Sequence, residues 1–161
     1  MEPEQVKPVK NLIVLIPDGT SLATISTARW YQWYMNPDMP KLAIDPYICG
    51  TVRTHSSNAP IGDSAPTTSC YMTGHPSRTG YVATYPPHDP GNDIYPMDPK
   101  RAYQPMTTLL EAMKLVQHKA TGLVFTCEFT HATPADCSAH SYSRKRYEWI
   151  APQMVHNDID V

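Results

Sequence analysis

An α/β domain, its mainly parallel sheet flanked by helices, is what this sequence predicts, on three observations. Short apolar runs recur at Asn11–Ile16, Cys49–Thr54 and Leu123–Cys127, of the kind a parallel sheet buries on both faces. Segments with helical periodicity separate them. The resulting order of strand, helix, strand, helix, helix, strand, helix suits a sheet with right-handed crossovers. A chain of 161 residues is long enough for one domain with a real core.

Taken in order, Asn11–Ile16 is stopped by Pro17-Asp18-Gly19-Thr20. A helix is expected from about Ser21 to Met35, where Leu22, Ile25, Ala28 and Met35 repeat at helical spacing. Its Trp30, Tyr31, Trp33 and Tyr34 read as packing residues, with a stacking surface for bases or sugars as the alternative. The second strand, Cys49–Thr54, leads through Ser56-Ser57-Asn58 to a helix ending at Thr73-Gly74, where Gly74 is the stop. Seven of the 17 prolines fall between His75 and Met106, which marks a loop of about thirty residues, long enough to shape a site. Met106, Leu109, Leu110, Met113 and Val116 outline an amphipathic helix closed by Thr121-Gly122. After the third strand, Thr130–Ala135 opens a helix reaching about His140, and a last one spans roughly Ile150 to His156. Ile159-Asp160-Val161 has the look of the first residues of another strand.

Composition narrows the function classes. Net charge is −2 and the pI about 6.4, and basic residues are scattered apart from Arg144-Lys145-Arg146, so no nucleic-acid surface is expected. The longest aliphatic run, Leu12–Ile16, is too short to span a membrane. Met1-Glu2-Pro3-Glu4-Gln5 lacks the build of a signal peptide, which fits either a protein kept inside the cell or a signal already removed. Cys49, Cys70, Cys127 and Cys137 show no metal-binding spacing. Their places in apolar elements predict buried thiols, and a Cys127–Cys137 disulfide stays open as the alternative.

The chemistry centres on Ile61-Gly62-Asp63-Ser64-Ala65-Pro66-Thr67-Thr68-Ser69, a turn running into a helix with Pro66 in its first turn. Unpaired N–H groups at a helix start stabilise an anion, and Ser64 sits where a phosphate or sulfate would rest. Taken alone, Asp63 and Ser64 read first as plain caps, the usual role of these residue types. In a parallel sheet, ligands bind beyond the carboxyl ends of the strands. Asp18 follows the first strand, Ser64 the second and Thr133 the third, so three oxygen ligands can converge.

Those segments together resemble the alkaline phosphatase family. Asn11–Gly19 matches its strand ending in aspartate-glycine, Asp63-Ser64-Ala65 with Thr73-Gly74 its nucleophile motif and helix, and His131-Ala132-Thr133-Pro134-Ala135 through Ala139-His140 and Ser143-Arg144 a third motif. Leu42–Asp45 and Thr108–Glu111 fall where the family has similar segments. The resemblance implies an alkaline-phosphatase-like α/β fold, incomplete at its C-terminus. Residues 1–161 would be the N-terminal portion of that domain, with the proline-rich loop at about 75–106 lacking a counterpart. The family's remaining ligands would lie beyond Val161, which points to a nicked or truncated enzyme.

By the same resemblance the complete enzyme hydrolyses phosphate monoesters through a phosphoserine on Ser64, assisted by two zinc ions and one magnesium ion. Asp18 would bridge a zinc and the magnesium, Ser64 would ligate zinc, and Thr133 would ligate magnesium. Arg144 would bind two phosphate oxygens, with Asp63 orienting it. The residue types suit those roles. Zinc lowers a serine hydroxyl's pKa, arginine's fork fits two phosphate oxygens, and hard magnesium prefers oxygen donors. His131 stands where the bacterial type often has aspartate and is a further metal candidate; Pro17 replaces a common glycine. His140 matches a family histidine without an assigned chemistry. The family also implies a small-molecule phosphomonoester as substrate, the C-terminal part of the enzyme as partner, a homodimer, and a periplasmic or secreted location.

Rival readings are weaker. A sulfatase would want arginine where Thr68 stands in its S-x-P-x-R signature. A phosphodiesterase fits Asp63-Ser64-Ala65 and Arg144 less well than a monoesterase, and a lipase-like esterase lacks the rest of its triad. A catalytically silent fragment or interaction subunit is the alternative from another class.

Overall fold

The computed structural model describes residues 9–39 and 41–161; the N-terminal stretch Met1–Gln5 lies outside them. The chain divides into two compact units, Met1–Ile48 and Cys49–Val161.

The first unit holds helix α1, Leu22–Met35, and a short 3-10 turn, Asp45–Tyr47. Ser21 caps α1 by accepting the Thr24 amide at 3.2 Å, which satisfies one donor of the first turn. Arg29 meets Asp45 in a two-pronged pair, Nη2 to Oδ1 at 2.7 Å, tying the helix to that turn. The aromatic face does not pack as expected. Trp30, Tyr31, Trp33 and Tyr34 are all exposed, and Trp30 meets Trp33 edge-on at 5.6 Å.

The second unit contains four α-helices, α2 (Ser64–Thr73), α3 (Leu109–Leu115), α4 (Ala132–Ser138) and α5 (Tyr147–His156), and a 3-10 turn, Pro99–Arg101. Each start and stop has a local cause. Gly74 ends α2 with φ +76°, a left-handed conformation that costs glycine little. Thr108 and Glu111 form a reciprocal capping box at the start of α3. The core lies where α2, α4 and α5 meet: Ala65, Ala132, Ala135 and Ala139 let backbones approach closely, and Ile150 and Met154 fill the space beside Val82. A second cluster of Tyr85, Met97 and Met106, with Tyr95 against it, is built from the proline-rich region.

The parallel sheet is not found. Asn11–Ile16, Cys49–Thr54 and Leu123–Cys127 form no strand among the described residues, which carry only isolated bridges: Ser56 with Ala59, Val82 with Ser141, and Thr84 with Pro105. A strand exists only through a neighbour, and parallel neighbours come from distant sequence. These runs have no ladder alongside, and Ile13, Leu15, Val52 and Val124 are exposed. Leu123 donates to Val161 O and Asp160 to Thr121 O, so those two segments meet without making a ladder. The cysteines also depart from expectation. Cys49 and Cys127 are exposed, Cys70 is half-buried, Cys137 alone is buried, and all four are free thiols. No helix among the described residues is long and apolar enough to cross a membrane.

Candidate active site

Gly62 shapes the approach to α2. A Cβ there would stand 2.9 Å from both Ser56 Oγ and Thr67 Cγ2, so only glycine lets the turn lie this close. Asp63 follows as N-cap residue, yet its side chain makes no capping bond. Its Oδ1 accepts the Gly80 amide at 3.1 Å, and its Oδ2 takes Arg144 Nη1 at 2.7 Å. The plain capping reading of Asp63 therefore gives way to a tie between two distant segments. Ser64 is the first residue of α2 and half-buried.

Arg144 is brought there by backbone pairing. Val82 and Ser141 exchange both hydrogen bonds, at 2.8 and 2.9 Å, and the Arg144 amide donates to Gly80 O at 2.7 Å. The guanidinium Nη2 lies 3.3 Å from His131 Nε2. Arginine only donates, so that nitrogen accepts and the His131 proton sits on Nδ1. His131 is the N-cap residue of α4, which carries Thr133 in its first turn. Asp63, Ser64, His131, Thr133 and Arg144 thus belong to two helix starts and one return segment joined by direct contacts. Asp18 lies in the first unit, exposed, in the turn closed by the Thr20 amide on Pro17 O.

Two layers beneath this were not anticipated. Asp136, fully buried on α4, accepts Ser69 Oγ of α2 and the Ala83 amide (2.7 Å) on its Oδ1. Burial pushes its pKa well up, against the pull of those hydrogen bonds. His140 donates Nδ1 to Ala83 O at 2.8 Å and meets Glu111 Oε1 through Nε2 at 2.9 Å. Burial opposes charge on both partners, yet their mutual hydrogen bond prevails: His140 is raised and Glu111 lowered. The capping pattern Thr108-x-x-Glu111 was a visible signal for one partner. Nothing in the sequence flagged Gly80 or Asp136.

As a metal centre this donor set is partial. No group of three or more His, Cys, Asp or Glu side chains able to hold a metal ion occurs among the described residues. Ser64 and Thr133 supply hydroxyl oxygens, and His131 Nε2 faces Arg144. A catalytic zinc normally takes three protein ligands, usually with nitrogen among them. The residues present do not fit two zinc ions.

A helix start carrying serine thus stands beside an aspartate-held arginine, which in turn faces the His131 that begins α4. Comparison with known proteins gives the class. The alkaline phosphatase family model matches residues 9–160, and the chain belongs to that family. It is 33% identical over 149 residues to the repressible alkaline phosphatase of Saccharomyces cerevisiae, covering 91% of this chain and 23% of that protein. The crystal structure of a cold-active alkaline phosphatase from a psychrophilic Shewanella superposes with TM-score 0.69 at 32% identity, covering 89% of this chain and 33% of that one. A mutant alkaline phosphatase from TAB5 with magnesium bound shares the fold, with TM-score 0.65 at 23% identity over 89% of this chain and 35% of that one. The chain therefore spans a quarter to a third of the length of these relatives.

Proposed function

We propose that this chain forms part of a phosphomonoester hydrolase in which Ser64 is the nucleophile and becomes phosphorylated. The observation that carries the reading is the use made of Asp63. It leaves the α2 cap unmade and holds the Arg144 guanidinium beside the helix start that bears Ser64. Arg144 then offers its remaining donors to two phosphate oxygens, a planar fork that lysine lacks. The positive end of the α2 dipole adds favourable interaction with the anion. Attack by Ser64 Oγ on phosphorus forms the O–P bond as the alcohol leaves, and water then releases phosphate.

Metals belong to the same reading. By the family resemblance two zinc ions and one magnesium ion are the implied metals, with Asp18, Ser64, Thr133 and His131 as candidate ligands, a set too small to complete them. When bound, zinc would lower the serine hydroxyl's pKa. Small phosphomonoesters as substrates, a homodimer and a periplasmic or secreted location follow from the family likewise. Acid quenching of the complete enzyme during turnover of a labelled aryl phosphomonoester tests the nucleophile. Phosphate is expected on Ser64. Label on another residue, or turnover of Ser64→Ala within a few-fold of the parent, overturns the assignment.

A further inference from the structure

Asp136 is fully buried among alanines of the core, where a carboxyl group is costly and an apolar side chain would pack well. Its Oδ1 accepts two donors, Ser69 Oγ and the Ala83 amide, while Oδ2 is buried with no partner. Ser69 does not need it, because its single hydroxyl proton has an alternative acceptor in Ala65 O, 3.2 Å away. Ala83 does: it sits at φ +35°, strained for a residue with a Cβ, and is completely buried. Its carbonyl is held from the other side by His140 Nδ1 and the Met106 amide.

Three segments meet on this one carboxyl: α2, α4 and the stretch 80–83. They are the same three that Asp63, His131 and Gly80 contribute to the surroundings of Arg144. We propose that Asp136 is a positioning residue of the Asp63–Arg144 pair, cross-linking α2 to the strained Ala83 amide so that the start of α2 stands in register with Gly80 and Arg144. Burial favours the uncharged acid, which keeps a second negative charge away from Asp63; Arg144, Cys70 and Cys137 are the other ionisable groups close enough to interact with it. Describing the pair as phosphate-binding rests on the function proposed above, but the cross-link does not.

The test reads the Arg144 side-chain Nε–H and Gly80 amide resonances in the isotopically labelled protein, which needs no turnover. Asp63→Asn gives the reference positions for a broken pair. Asp136→Asn keeps an oxygen that accepts both donors and should leave both resonances at their parental positions. Asp136→Leu should move them toward the Asp63→Asn positions while amides of α5 stay in place. If Asp136→Leu does not fold, Ser69→Ala decides: it removes the α2 end of the cross-link and should move both resonances part of the way. Unmoved resonances in folded Asp136→Leu or in Ser69→Ala, or an Asp136→Asn spectrum as altered as that of Asp136→Leu, overturn the proposal. Absence of phosphatase turnover in the complete enzyme, with these shifts intact, would instead sink only the functional reading.

Discussion

Two arginines two residues apart have opposite surroundings. Arg144 is half-buried, held by Asp63 at 2.7 Å and facing His131, with guanidinium donors left over. Arg146 is exposed, 3.3 Å from Glu148 and stacked over Trp149 at 4.9 Å. A hydrogen bond to a charged group is worth about 1.5–3 kcal/mol. Arg144→Ala should therefore cost about ten- to a hundred-fold in kcat/KM of the complete enzyme. Arg146→Ala should cost little. Steady-state kinetics of the two variants side by side decide it, and equal losses would reduce the basic triplet to a diffuse charge.

Elements were legible where their causes are local. The start near Ser21 and the stop at Gly74 stand where their own chemistry places them, whereas the helix expected to close at Thr121-Gly122 ends at Leu115. The strands were not, because an apolar run becomes a strand only beside another. Of the site, Ser64 and Thr133 could be placed at helix starts, whereas pairing Asp63 with Arg144 came only from family resemblance. Asp136 was invisible for a physical reason: it occupies a core position where periodicity predicts an apolar residue.

His140 and Glu111 show what such hidden pairs do to stability. Both acceptors around the imidazole, Ala83 O and the Glu111 carboxylate, require an N–H, so the ring is cationic in this arrangement. The raised His140 contributes stability fully present below its ordinary 6.5 and lost as pH rises through its folded value. The lowered Glu111 contributes stability present above its ordinary 4.5 and lost as pH falls through its folded value. Denaturant unfolding of parent and His140→Gln should differ most between pH 4.5 and 6.5, with the gap closing toward alkaline pH. A gap that widens above neutrality would mean that the neutral ring is the form the fold selects.

At the scale of the whole molecule, the chain covers 23% of its yeast relative and 33% of the Shewanella structure, and its donors reflect that share. Asp18, Ser64 and Thr133 all offer oxygen, and two of the three are hydroxyls. His55, His75, His88, His118 and His156 gather in no three-ligand group with one another or with acids among the described residues. His88 is engaged with Asp93 at 2.6 Å, and His75 lies against the Tyr85 ring at 4.7 Å. In this arrangement these side chains bring no nitrogen-ligand set for zinc together among the described residues. The apolar runs add a second consequence. Ile13 and Leu15 of the first unit are exposed at 84% and 86% and Val124 of the second at 94%, apolar side chains that favour association in each. The 161-residue chain, purified under denaturing conditions and refolded alone with zinc and magnesium, should release no phosphate from an aryl monoester and should scatter light as oligomers. Turnover that survives this treatment and vanishes in Ser64→Ala would show that the chain builds its own metal site, and the ligand count would be wrong.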